Sequence, residues 1–237
     1  MPARVSALSI VDALAADLRD RIFRGALTSE DPVTETEVAR TYEVARPTAK
    51  AAIEKLVGEG LLQRGAHKTA RVPVIGPDDV RDIYRTRQTL EADVLARLAQ
   101  SRIVPDEARV ANAEIATLEG HSTLAIVEPD MRFHTALVDA VGSPRTSRMY
   151  RSLVGEVRLC MVQVWGKQLL DRKAIHAEHQ GILDAIDAGD PVLAVKRIDL
   201  HLSGVRERLA GSFAVQTGSF AVRTASFADS GGPDARR

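Results

Sequence analysis

The sequence has little that would mark a secreted, membrane-bound or redox-active protein. Its single cysteine, Cys160, cannot close an internal disulfide, and its apolar setting in "VRLCMVQVW" reads as a buried, inert thiol. No apolar run approaches the roughly 18 residues a membrane span needs, and the N-terminus lacks a signal-peptide core, so the expected location is the cytoplasm, away from any membrane. Net charge is absent too: 32 basic and 32 acidic residues cancel, so any electrostatic signal must be local. Strand-like alternation is missing beyond the first third of the chain, and no His-Glu-x-x-His run or paired Glu-x-x-His motif marks a zinc protease or a di-iron bundle. What remains, in 237 residues with 45% hydrophobic and 27% charged, is a globular chain that is mainly helical.

The first 73 residues form one unit. "SIVDALAADLRDRIFRG" carries Val11, Leu14, Leu18 and Ile22 at helical spacing and ends in Gly25. In "TETEVARTYEV", Thr34 and Glu37 have capping-box spacing for a short second helix. "ARPTAKAAIEKLVGEG" puts Pro47 in a first turn and Ala49, Ile53, Leu56 and Val57 on one face of a third helix. "LLQRGAHKTARVPV" then reads as a hairpin around a Gly-containing tip, closed by Pro73. Helix, helix, turn, helix, hairpin is the order of a winged helix-turn-helix.

Charge within that unit is uneven. Glu30 to Glu43 holds five acidic residues against Arg40, whereas Arg46 to Arg71 holds six basic residues against Glu54 and Glu59. Arg46 and Lys50, four apart at the start of the third helix, are placed to meet base edges and phosphates in a major groove, with Thr48 between them and Arg64, His67 and Lys68 on the hairpin as further DNA contacts.

These residues resemble the GntR family of regulators. "VARPTAKAAIEKLVGEGLLQR" is similar to the family signature at Val44, Arg46, Lys50, Ala52, Leu56, Glu59, Gly60 and Leu61, and "LRDRIFRGAL" fits its first helix. Ala45 stands where the family usually carries a capping hydroxyl, Pro47 and Thr48 reverse the usual order, Lys50 replaces an arginine, and Thr36 occupies a place where some members have arginine. Residues 78–210 resemble the helical FCD effector domain of the FadR-type branch, an antiparallel all-α bundle. The resemblance implies a ligand-responsive, DNA-binding transcription regulator, a repressor, acting as a homodimer on a palindromic double-stranded operator.

In the second part, "DDVRDIYRTRQTLEADVLARLAQ" is a long helix, and helical patterns recur at about 105–118, 129–141, 144–165, 171–188 and 191–210. The pattern at about 129–141 is unusual. Asp130 and His134 lie along the stripe of Phe133, Leu137 and Val141, and turning ionisable groups inward is costly unless something compensates them. His179 and His201 repeat the oddity on two later helices, so three inward histidines and one aspartate can converge as a ligand set for Zn²⁺ or another transition metal such as Ni²⁺. The FCD resemblance implies the same four residues. His176 and His121 fall outside its pattern and read as surface or loop positions.

Two arginines can complete an anion site for the carboxylate of a small effector: Arg87, four residues before Glu91 as in the family's Arg-x-x-x-Glu helix, and Arg158, in the otherwise apolar "EVRLCMVQVW". The plain alternative for Arg87 is a helical ion pair worth about 0.3–0.5 kcal/mol. Two rival functions stay open at this point: a helical-bundle metallohydrolase with a DNA-binding appendage, and a pure metal sensor. The repeat "GSFAVQT GSFAVRT ASFADS" from Gly211 is too rich in glycine and serine for a stable coiled coil and reads as a flexible tail over 211–237, with a docking strand or an oligomer contact as the alternative.

Overall fold

A computed structural model describes residues 9–65, 69–118, 123–163 and 171–228, with the side chains of 123, 124 and 214–228 left out. Helix α1 (Ile10–Phe23) is capped by Ser9, whose hydroxyl accepts from the Asp12 amide, and it buries Leu14, Leu18 and Ile22. It ends because Gly25 takes φ +71°, a left-handed conformation that glycine adopts without a side-chain clash. Helix α2 (Glu35–Thr41) starts at Thr34, whose side chain accepts from the Glu37 amide at 3.2 Å. Helix α3 (Arg46–Gly58) has Pro47 in its first turn and no side-chain cap, since its N-cap is Ala45. Ala49, Ala52, Ile53 and Leu56 are fully buried against α1 and α2. Strands β1 (Gln63–Arg64) and β2 (Ala70–Arg71) pair antiparallel, and Val33 adds an isolated bridge to Ala70. This is a winged helix-turn-helix.

Six helices follow: α4 (Pro77–Ser101), α5 (Asp106–Thr117), α6 (Thr123–Ala140), α7 (Pro144–Gln163), α8 (Arg172–Ala188) and α9 (Pro191–Ala228). Helix α4 is the central rod, packing against α6, α7, α8 and α9, with Val80, Ile83, Tyr84, Val94, Leu95 and Leu98 buried. No helix of the described residues is long and apolar enough to cross a membrane.

Two boundaries differ from the sequence reading. Helix α6 begins at Thr123, not near 129, and carries Pro129 inside it. A proline in a helix interior removes one backbone hydrogen bond and costs about 3 kcal/mol. Burial of Ile126 and Val127 ahead of it, with Ile126 packed against Ile115 and Ile175, offsets that cost and extends the helix through the break. Helix α9 also runs on to Ala228, so the repeat from Gly211 continues the last helix where the sequence reading ended it near 210. Seven residues fall only about 20° short of two full turns, so the repeat does not oppose helix, and Phe213 is buried where it begins. Residues 229–237 lie outside the described residues.

Candidate metal centre

Four side chains from three helices meet in the core of the bundle. Helix α6 supplies Asp130 and His134 one turn apart, α8 supplies His179, and α9 supplies His201; all four are buried. Their donor atoms lie within 4.8 Å of one another. The Nε2 atoms of His179 and His201 are 3.4 Å apart, and Asp130 Oδ1 is 3.4 Å from His179 Nε2 and 3.8 Å from His134 Nε2. Four donors held about 2.1 Å from a tetrahedral ion stand roughly 3.4 Å from each other, so these separations fit a transition metal.

The outer nitrogens explain why the inner ones point inward. His134 Nδ1 donates to Glu91 Oε2 at 2.6 Å and His201 Nδ1 donates to Glu178 Oε2 at 2.7 Å. A carboxylate offers only acceptors, so each of those nitrogens carries the ring proton and leaves Nε2 as a bare lone pair. His134 Nε2 is buried with no hydrogen-bond partner, which is the state of a ligand atom facing an ion. His179 is held differently: its ring stacks on Phe133 with centroids 3.7 Å apart and planes 3° off parallel. Burial lowers the pKa of all three histidines and so favours the neutral imidazoles a metal needs. Burial alone would raise the Asp130 carboxyl, yet the hydrogen bond from His179 holds it below the usual range.

That electrostatic balance predicts a pH dependence. A histidine whose folded pKa is depressed resists protonation while the unfolded chain takes a proton near pH 6.5, so stability is lost as pH falls through that value. The slope is up to about 1.4 kcal/mol per pH unit for each histidine. In metal-chelated protein the Tm is expected to fall steadily from pH 7.5 to pH 5.5. A flat Tm over that range would show that the three imidazoles are not held neutral by burial.

Next to the histidines lies a second buried cluster. Arg87 donates from Nε to Glu91 Oε1 at 2.9 Å, Tyr150 of α7 donates to the same oxygen at 2.8 Å, and the Tyr84 ring sits 5.0 Å from the Arg87 guanidinium carbon. Arg87 and Glu91 are each 1% exposed, so the estimate for a solvated helical pair does not apply to them. Burial would raise the Glu91 carboxyl, but His134 and Arg87 bring it down to about 2. Arg87 Nη2 is left buried without a hydrogen-bond partner.

The structure does not bring Arg158 to this place. Its Nη2 donates to both carboxylate oxygens of Glu128, at 2.7 and 2.6 Å, and its guanidinium carbon lies 5.9 Å from the Phe23 ring centre of α1. Eight residues separate it from Tyr150, which is about 12 Å further along α7 and some 80° round it, so the two side chains serve different neighbours. Arg158 belongs to the seam between the two domains, and the expectation that it joins Arg87 in one anion site is corrected. His176 is no ligand either: its Nδ1 meets the Asn112 carbonyl at 3.0 Å, and the Asn112 amide donates back to the His176 carbonyl. Cys160 is buried and its thiol is pushed up to about 12, consistent with an inert core residue.

Glu178 and Tyr150 were not singled out from the sequence. Glu178 reads there only as the acidic residue before His179, yet it serves His201 on the neighbouring helix. Tyr150 gives no sequence signal, because a tyrosine on an amphipathic helix looks like core.

On the winged helix, Arg46 and Lys50 are exposed and Thr48 is half-buried. The basic edge is narrower than the charge pattern suggests. Arg64 is tied to Glu54 on α3 and lies 3.5 Å from Glu35, Lys55 bonds Asp12 at 2.6 Å, and Arg71 donates to the carbonyls of Ser29 and Glu30. An Arg64 contact to phosphate would have to displace those carboxylates. His67, Lys68 and His121 lie outside the described residues.

A winged helix with two exposed basic side chains at the head of its third helix, joined to an all-α domain, defines a DNA-binding transcription regulator. A model of the bacterial regulatory proteins of the gntR family matches residues 10–72, and a model of the FCD domain matches residues 82–204. The chain belongs to the gntR family, in the branch that carries an FCD domain. It is similar to a transcriptional repressor named for a D-xylose utilization operon in Paenarthrobacter nicotinovorans, 27% identical over 199 residues, covering 80% of this chain and 86% of that protein. The crystal structure of a GntR transcriptional regulator from Rhodococcus sp. RHA1 superposes with a TM-score of 0.66 at 21% identity, covering 86% of this chain and 98% of that one. A structure described as the metal-free FCD domain of another transcriptional regulator superposes with a TM-score of 0.51 at 18% identity, covering 60% of this chain and 99% of that one. The matched families and curated relatives are transcriptional regulators, which sets aside the metallohydrolase reading.

Proposed function

We propose that this regulator is a cytoplasmic, homodimeric repressor that holds a divalent metal ion at Asp130, His134, His179 and His201, and releases a palindromic operator when a small carboxylate binds there. The observation that carries this reading is the convergence of three buried imidazoles and the Asp130 carboxylate, their donor atoms within 4.8 Å of one another, with His134 Nε2 lacking any hydrogen-bond partner. Imidazole and carboxylate donors suit zinc, and nickel is the next ion to test. The ion would supply a fixed positive charge with room for an anion's oxygen, and Arg87 Nη2 is the nearby donor available to the same anion. Arg87→Lys is expected to keep the metal and weaken carboxylate binding, since an ammonium cannot keep the bond to Glu91 and reach the anion together. Calorimetry with acetate, glycolate, malonate and succinate on zinc-loaded protein tests this; identical affinities for both proteins would remove Arg87 from the site. A metal sensor with no organic ligand predicts instead that operator affinity follows zinc occupancy and ignores every carboxylate.

DNA recognition is assigned to Arg46 and Lys50, with Thr48 beside them and Arg64, His67 and Lys68 on the wing. Arg46→Ala is expected to weaken binding to an operator selected from random duplexes by about 1–3 kcal/mol and to relax sequence choice. Lys50→Ala should lower the salt dependence of binding if its partner is phosphate. Mobility shifts on selected and scrambled duplexes at several salt concentrations read both effects. Unchanged operator affinity for Arg46→Ala would end its recognition role.

A further inference from the structure

Helix α7 reaches both the buried carboxylate network and the end of the recognition helix. In its first half, Tyr150 donates to Glu91 Oε1, and the other oxygen of that carboxylate holds His134 Nδ1. Five residues later the helix meets α3. A Cβ placed on Gly155 would lie 2.3 Å from the carbonyl oxygen of Glu59, the C-cap of the recognition helix. That contact is backbone against backbone, so neither side can swing away, and glycine is the residue that allows so close an approach. The seat has flanks on both sides. Glu156 presses on Gly60, Arg158 lies against Phe23 of α1, and Arg19 of α1 forks the Glu59 carboxylate at 2.8 and 2.9 Å.

We propose that α7 is the transmission rod between the two domains, with Tyr150 as its attachment to the metal-centre network and Gly155 as its bearing on the end of the recognition helix. This rests on the metal reading above, since the input is a change at His134. A helix moves as a rigid body over such a short span; Tyr150 and Gly155 are about 7.5 Å apart along it. A change in the position of His134 moves Glu91, Glu91 moves the Tyr150 hydroxyl, and the rod shifts against the Glu59 carbonyl. The output is the pitch of α3, which carries Arg46 and Lys50 at its other end. Tyr150 and Gly155 are positioning residues in this scheme; neither has to touch the ion, an anion or DNA.

Amide exchange at Glu59, Gly60 and Leu61 reads the bearing directly, because these amides donate to the last carbonyls of α3, those of Lys55, Val57 and Leu56. The experiment uses the full chain, zinc-loaded and zinc-free, with zinc content measured in parallel. In the wild type, zinc loading is expected to slow these amides at least twofold. Tyr150→Phe removes one hydroxyl from the network; it should speed the amides at least threefold in zinc-free protein and abolish the zinc-dependent difference while zinc still binds. Tyr84→Phe, which removes a buried hydroxyl that has no partner, should do neither. Gly155→Ala should speed the same amides about tenfold with zinc content unchanged, whereas Gly58→Ala, with open space around its added methyl, should not. Unchanged exchange at 59–61 in Tyr150→Phe or in Gly155→Ala overturns the rod, as does zinc uptake by the wild type with no change at these amides. Accelerated exchange in both variants of a protein that takes up no zinc leaves the rod standing and removes the metal reading instead.

Discussion

Glu91→Ala is expected to destabilise the metal-free protein by about 3–5 kcal/mol, a large part of the total stability of a domain this size. The side chain is 1% exposed and satisfies three groups at once: Arg87 and Tyr150 on one oxygen, His134 on the other. Its removal leaves an arginine charge in the core with neither water nor a counter-ion. It also frees His134 to turn, so metal affinity should fall with stability. Glu91→Gln keeps the shape and one acceptor oxygen and is expected to lose less. Arg24→Ala provides the contrast: its pair with Asp20 is exposed on both sides, and solvated pairs of that kind are worth about 0–1 kcal/mol. Urea unfolding curves with an unchanged slope separate these cases. A Glu91→Ala loss as small as that of Arg24→Ala would mean that water reaches the network.

His134→Ala and His201→Ala are expected to abolish metal retention and the stability that metal confers, in addition to the loss each causes in metal-free protein by emptying a buried ring site and leaving Glu91 or Glu178 a partner short. Binding to the folded state alone stabilises by RT ln(1 + [L]/Kd), about 4 kcal/mol when free ion exceeds Kd a thousandfold, so a wild type with zinc should melt well above its chelated form. The variants should lose that gap, because three remaining ligands bind far more weakly than four and the carboxylate behind the missing ring no longer orients anything. His176→Ala should retain the metal and the gap, since its ring serves the Asn112 carbonyl. Elemental analysis beside melting curves decides it. Full metal retention in His134→Ala and His201→Ala would dismantle the site.

Much of this was legible in the sequence where local rules agree with the fold. Thr34 caps α2, Pro47 opens α3, and Leu14, Leu18 and Ile22 face the core, because capping and helical spacing act within a few residues. The inward face of Asp130 and His134 was legible for the same reason, one turn of one helix. What joins helices was not. Nothing local says that Glu178 reaches His201, that Tyr150 shares Glu91 with Arg87, or that Arg158 turns to Glu128 at the domain seam. The basic edge was overcounted because net charge along a chain ignores pairing: Lys55, Arg64 and Arg71 find acceptors within the winged helix itself. Helix α6 starts ahead of the 129–141 pattern because burial of Ile126 and Val127 outweighs the local penalty of Pro129.

The measurement closest to the central claim is the affinity of zinc-loaded protein for a small carboxylate, read twice, once free and once on its operator. An anion that releases DNA must prefer the DNA-free arrangement, and a tenfold loss of operator affinity requires a preference of about 1.4 kcal/mol, within reach of one charge-assisted contact. Calorimetric titration of acetate, glycolate, malonate and succinate is expected to find at least one that binds about tenfold more weakly to the operator complex, with the difference lost in Arg87→Lys. A carboxylate that binds equally well to free and operator-bound protein cannot shift the equilibrium, however tight it is; that result across the whole series would contradict the account.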